Sequence, residues 1–169
     1  MNGRGVSVIW FTADQHFGHE NVIAYCGRPF RNANHMAEVL RGKYNARISP
    51  EDLVFFLGDL TLSNSPFIVE GILKRLQGTK VLILGNHDKL DALRYVDLGF
   101  QSVHTSLVVE EFTLVHDPAL SAVDRSRQFL CGHVHELFKR QRNCLNTGVD
   151  VWDFFPVSID TIREELAST

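Results

Sequence analysis

Residues 81–88 read Val-Leu-Ile-Leu-Gly-Asn-His-Asp, an apolar run that passes through a glycine into Asn86, His87 and Asp88. Four apolar residues with β-branched members, closed by Gly, read as a short buried strand. Open α/β sheets collect their ligands just beyond the carboxyl ends of such strands. The arrangement recurs along the chain. Val6–Phe11 leads to Asp14-x-His16, Leu53–Leu57 to Gly58-Asp59, Phe112–Val115 to His116, and Phe129–Cys131 to Gly132-His133-Val134-His135. One strand that delivers one His means little. Five strands that deliver Asp14, His16, Asp59, Asn86, His116, His133 and His135 to one rim have the layout of a metal centre.

The spacing adds detail. Side chains two apart in extended backbone share a face, so Asp14 with His16, and His133 with His135, can converge on one volume. If the chain turns between His133 and His135, they reach different ions instead. Glycines before Asp59, Asn86 and His133 allow tight turns and close backbone approach where the strands end. The ligand set mixes nitrogen and oxygen without a thiolate pattern. It suits Mn, Fe, Ni, Co or Zn and disfavours a structural Cys-type zinc site or an all-oxygen calcium site. Seven ligands are too many for one ion that keeps open positions. They suit two ions sharing a carboxylate, ~3.5–4 Å apart, an arrangement that hydrolyses phosphate esters or peptides.

Around these blocks, helical and strand patterns alternate. Glu20–Tyr25, Asn32–Arg47, a stretch opened by Ser65-Pro66 and ended by Gly78, and Asp91–Leu98 read as helices. Phe67, Ile68, Ile72, Leu73 and Leu76 form the expected apolar face of the third. From Gln101 the character changes. Ser102–Val109 and Glu111–Val115 read as consecutive strands in an antiparallel pair. Arg127–Cys131, Cys144–Asn146 and Val157–Ile159 are further strands, and Ile159–Leu166 is a terminal helix. A βαβ-like first half and a mostly β second half point to an α/β fold with two packed, mixed sheets flanked by helices.

Bulk properties bound the function. The chain has 169 residues, enough for one domain with its own core, and no repeat or linker marks a boundary, so a single domain over 1–169 is expected. The net charge of -3 argues against a broad basic surface for nucleic acid and leaves room for a local patch. Cys26, Cys131 and Cys144 lack CxxC spacing and suggest reduced thiols in a cytoplasmic setting. No apolar stretch approaches the ~20 residues of a membrane span.

Taken in order, the blocks resemble the calcineurin-like metallophosphoesterase superfamily, whose pattern is DxH, GDxxD, GNH[D/E], a lone His and GHxH. The match runs from Asp14 to His135. His16-Phe17-Gly18-His19-Glu20-Asn21, followed by Arg28-Pro29-Phe30, is similar to small, cap-free bacterial and phage members. The resemblance implies that Asp14, His16 and His135 hold one divalent ion and Asn86, His116 and His133 a second, with Asp59 bridging them. It implies a water, activated between the ions, that attacks phosphorus in line, and a catalytic His87 beside the scissile group. One position departs from the pattern. Leu62 stands where the second Asp of GDxxD orients the catalytic His, leaving Thr61, Ser63 or Asp88 as substitutes.

Other residues have bland readings beside sharp ones. His19 and Asn21 either touch substrate or open a helix, since Asn is a good cap. Arg28 either clamps a phosphate oxygen or is a surface residue before Pro29. Lys139-Arg140-Gln141-Arg142 is a solvated basic turn or a track for an anionic substrate. His35 and His104 fit no motif. The expected activity is hydrolysis of phosphomonoesters or phosphodiesters, with diesters favoured, on a small molecule or nucleotide; a homodimer is possible in this family. The alternatives are a metal-binding interaction scaffold with little catalysis, and a nucleic-acid-processing phosphatase or nuclease.

Overall fold

The computed structural model describes residues 7–168, and within them every apolar run that ends on a candidate ligand gives a strand. The first half contains β1 (Ile9–Thr12), α1 (Asn21–Tyr25), α2 (Ala33–Asn45), β2 (Leu53–Phe56), α3 (Pro66–Leu73), β3 (Thr79–Ile83), α4 (Ala92–Leu98) and β4 (Ser102–His104). The second holds β5 (Leu107–Val109), β6 (Phe112–Leu114), β7 (Gln128–Cys131), β8 (Arg140–Gln141), β9 (Cys144–Asn146), β10 (Val157–Ser158) and α5 (Ile159–Ala167). Two 3-10 turns cover Pro118–Ala122 and Val149–Val151. Val6, part of the expected first strand, lies outside the described residues.

These strands make two five-stranded sheets, ordered β10-β1-β2-β3-β4 and β5-β6-β7-β9-β8. In the first, β1 through β4 are parallel and β10 is antiparallel at the edge. In the second, β6, β7 and β9 are parallel, flanked by antiparallel β5 and β8. Alternation along the strands sorts the core into layers. Val54, Phe56 and Leu82 face the helical side with Met36, Leu40, Val69 and Tyr95. Phe55, Leu57, Val81 and Ile83 face the other way and meet Phe112, Leu114, Leu130 and Leu145 of the second sheet. The parallel strands of both sheets thus end on the same rim.

Local signals set several boundaries. Asn32 caps α2 by accepting from His35 N at 2.8 Å, and Asp91 caps α4 by accepting from Arg94 N at 2.9 Å. Three expectations are corrected. Ser102–Val109 is two strands: β4 completes the parallel first sheet, the chain crosses at Thr105-Ser106, and only β5 pairs antiparallel with β6. The expected apolar face of α3 is also wrong in part. Val69 and Leu73 are buried, whereas Phe67 and Ile68 are exposed. A helix that is apolar nearly all round gives no stripe from which to choose a face. Asn21 is no cap: it is the first residue of α1, exposed, and Glu20 precedes it with its carboxylate on Ala33 N. Among the described residues no helix is long and apolar enough to cross a membrane, and all three cysteines are free.

Candidate metal centre

The backbone at the shared rim is strained where the candidate ligands stand. Nine non-glycine residues among those described have left-handed backbone, and Asp14, His16, Asp59, His133 and His135 are five of them. Such conformations cost about 1–3 kcal/mol each and gather at functional sites. Close glycines make the crowding possible. A Cβ on Gly132 would stand 2.9 Å from Asp14 Oδ2, and one on Gly148 would stand 2.8 Å from the same oxygen.

Close contacts link all seven candidates through Asp14, Asp59 and His116. Ligand-type atoms of Asp14, His16 and His135 lie within 4.8 Å of one another, as do those of Asp14, Asp59 and His116. Asp59 Oδ2 is 3.6 Å from His16 Nε2 and 3.6 Å from His116 Nε2. Asn86 Oδ1 lies 2.9 Å from His116 Nε2 and 3.0 Å from His133 Nδ1.

The protons available do not match these contacts, and that tests the fit of a cation. His116 Nδ1 lies 2.7 Å from the Leu57 carbonyl, which only accepts, so Nδ1 carries the hydrogen. The Nε2 lone pair then faces Asn86 Oδ1 and Asp59 Oδ2, which also bring lone pairs. His16 is more telling still. It is buried, and neither ring nitrogen has a hydrogen-bond partner. Buried polar atoms are rarely orphaned, because each costs about 1–3 kcal/mol. Burial pushes the Asp14 carboxyl up to about 7 and the His16 imidazole down to about 2, with the neighbouring His135 also opposing charge on His16. Electron pairs crowded together, short of protons and removed from water, are what a divalent cation satisfies. The donor set fits the group.

Residues outside the seven hold them. His135 Nδ1 donates to Asp150 Oδ2 at 2.9 Å, leaving Nε2 free for the site. Burial raises the Asp150 carboxyl, but hydrogen bonds from His135 and Arg28 outweigh it and leave the group lowered. Asn146, fully buried, donates to the His135 and Phe138 carbonyls and accepts from Gly148 N, which pins the His135 loop. Asp150 and Asn146 are functional residues that the sequence motifs do not mark. Their signal was the one used elsewhere, since Cys144–Asn146 is a strand and Gly148 precedes Asp150.

Arg28 fits neither expectation. It is buried, not a surface residue. Its five N–H groups go to Asp150 twice, to the Asp14 and Gln15 carbonyls, and to Met36 Sδ. No donor remains for a phosphate oxygen. Asp88 likewise does not orient His87. Its carboxylate accepts from Gly85 N, Asp59 N and Leu60 N, locking two ligand loops together, and burial pushes it up to about 6. Thr61 Oγ1 donates to the Phe17 carbonyl, and Ser63 Oγ accepts from Ser65 N.

His87 is therefore held by its backbone, which donates to Asp59 Oδ1 at 2.9 Å, and by edge contact with His16, ring centres 5.6 Å apart. No side chain among the described residues hydrogen-bonds its ring. His19 stands close by, its ring 5.8 Å from that of His16 and its Nδ1 buried without a partner; burial lowers its pKa. Asn21 shows no side-chain hydrogen bond and lies on the exposed start of α1.

Comparison with known proteins identifies the family. The sequence model of the calcineurin-like phosphoesterases matches residues 7–159. The chain is 33% identical over 165 residues to "Uncharacterized protein MJ1445" of Methanocaldococcus jannaschii, covering 91% of this chain and 88% of that one. It is 28% identical over 200 residues to the Gene 66 protein of Mycobacterium phage D29, covering 94% and 96% of the two. Among solved structures, the protein of unknown function AQ665 from Aquifex aeolicus superimposes with a TM-score of 0.76 at 24% identity, covering 94% of this chain and 99% of that one. The Pseudomonas putida nuclease MPE gives a TM-score of 0.51 at 25% identity, over 75% of this chain and 61% of the nuclease. With its family model spanning nearly all the described residues and its fold shared end to end with a solved relative, this chain belongs to the calcineurin-like phosphoesterase family.

Proposed function

We propose that this chain is a single-domain (residues 1–169), metal-dependent phosphodiesterase that works with two divalent ions. Asp14, His16, Asp59 and His135 would hold one ion, and Asp59, Asn86, His116 and His133 the other. The observation that carries the reading is the convergence of these side chains with both His16 nitrogens buried and partnerless. Bound ions of this kind supply Lewis acidity toward phosphoryl oxygens and a nucleophilic water at neutral pH.

The chain's own residues do the rest. His116 presents Nε2 because Leu57 takes the Nδ1 proton, and His135 presents Nε2 because Asp150 takes its own. The His87 and His133 backbones, donating to Asp59 and Asp14, fix the two carboxylates. His87, at the mouth beside His16 and His19, donates to the departing oxygen or to a phosphoryl oxygen in the transition state. A diester is favoured over a monoester because the site shows no free arginine fork for a dianionic phosphate, Arg28 being used up. The nuclease among the structural neighbours supports the same choice.

The test uses protein stripped of metal, then loaded with Mn, Ni, Co, Fe or Zn. Metal content is measured alongside turnover of an aryl phosphate and its bis-aryl diester. Two ions per chain and faster diester turnover are expected, with Asp59→Ala losing metal and activity together. Full activity or an undiminished metal content in Asp59→Ala sinks the bridging role.

A further inference from the structure

A groove of about 300 Å³ runs between α2 and α3, outside the metal centre. That is the lower end of the size range for ligand sites. Its architecture follows from helical spacing. Ala37 and Arg41 are four apart on α2; Phe67, Gly71 and Arg75 are four apart on α3 and the turn that follows it. Each helix thus turns one stripe toward the groove. The small residues Ala37 and Gly71 widen its middle, and a Cβ added at Gly71 would meet nothing within 4 Å. Phe17 joins the groove to the metal centre. It follows His16 directly, its N–H donates to the Leu60 carbonyl next to Asp59, and its ring forms a wall.

Two features of the groove point to one kind of occupant. Phe67 is 83% exposed, an open aromatic face that the fold does not need. Arg41 and Arg75 share the groove, and neither guanidinium has an ion-pair or hydrogen-bond partner among the described residues. The nearby Glu70 is spent on Lys74. A stacking face and two uncompensated guanidiniums match a base and a phosphate. We propose that this groove seats the part of a single-stranded nucleic acid flanking the scissile phosphate, with a base on Phe67 and backbone phosphate on Arg41 and Arg75. The proposal rests on the phosphodiesterase reading and names its substrate class. α3 is ~12 Å long, so the groove takes only a short stretch of strand.

The test separates the groove from the chemistry. Binding of a fluorescein-labelled 12-nucleotide single strand to the full chain is followed by anisotropy across a salt series. Turnover of a bis-aryl phosphodiester, which carries no nucleotide chain to lay along the groove, reads the metal centre. Phe67→Ala is expected to weaken strand binding about 5- to 150-fold, the range for one stacked base. Arg41→Ala with Arg75→Ala should weaken it and lower the salt slope by about 1 to 2. Bis-aryl turnover should stay within about twofold in each, because none of the three residues belongs to the candidate metal centre or its supporting hydrogen bonds. Strand binding unchanged in these variants, or absent in the parent protein at low salt, overturns the groove. Strand binding that depends on the groove without any bis-aryl turnover upholds it and overturns the reaction. If light scattering shows a dimer that Phe67→Ala dissociates while strand binding is unaffected, the groove is a self-association surface and the proposal fails.

Discussion

The two sides of the candidate metal centre are held in different ways. On one side His135, itself partly exposed, leans on the buried Asp150 carboxylate, Asp150 on the buried Arg28, and Arg28 on the Asp14 and Gln15 carbonyls. On the other, His87 has a backbone hydrogen bond and an aromatic edge but no partner for its ring. The fold therefore commits its polar network to aiming the candidate ligands and leaves the candidate proton donor loosely aimed. Side-chain networks of this kind fix rotamers, and rigid rotamers fix metal geometry. An imidazole without such support keeps rotational freedom and loses part of its advantage as an acid.

The largest effect is expected from breaking the held side. Arg28→Ala would leave Asp150 buried and without its guanidinium. Removing one partner of a buried ion pair costs about 3–5 kcal/mol. Thermal or urea unfolding of the metal-free chain should show that loss; a change below about 1 kcal/mol would mean that water replaces the guanidinium and that the network is not the support described. The loose side should give less. His87→Ala is expected to lower diester kcat about 100-fold, the low end for general acid–base groups, with metal content unchanged. A 10⁴-fold loss would show that His87 is well aimed after all and would erase the comparison.

Asp150→Asn tests the held side more gently. The amide keeps the shape and can still accept from His135, but it loses the charge that favours Nε2 as a ligand. Metal affinity should fall about 10- to 100-fold, the usual cost of losing a carboxylate behind a ligating His. Titration of the metal-free variant with Mn reads this directly, and an unchanged affinity would reduce Asp150 to a structural partner of Arg28.

The comparison also explains what could be read from the chain. Each of the seven candidate ligands lies within a few residues of a strand end, so a local pattern of apolar run, glycine and polar residue reveals it. The layered fold follows from the same runs. Arg28 and Asp150 are 122 residues apart, and no local pattern links them until the sheets are stacked. Arg28 before a proline looks like a surface residue because burial of a charge depends wholly on that distant partner. The buried face of α3 is hidden for the opposite reason, since Pro-Phe-Ile-Val-Glu-Gly-Ile-Leu is apolar nearly all round, with Glu70 its one charge. The strand break at Thr105-Ser106 depends on which sheet has a free edge, a question of tertiary pairing.

The smallest expected effect sharpens the comparison most. Leu62 stands at the position where the family pattern carries the second Asp, and the residue is partly exposed, so a carboxylate there has little burial to overcome. If the loose side lacks only an acceptor for the His87 ring, Leu62→Asp should raise diester kcat by up to about tenfold, or about 1.4 kcal/mol. The gain must depend on His87. Placed in the His87→Ala background, Leu62→Asp should give no increase, and the shortfall from additivity is the coupling energy between the two side chains. An equal gain in both backgrounds would mean that the new charge acts on the ions or the substrate. No gain in either would mean that the loop after Asp59, tied down by Thr61 on the Phe17 carbonyl, does not turn residue 62 toward the ring. His87 would then work as the fold leaves it, positioned by its backbone and its edge contact with His16 alone.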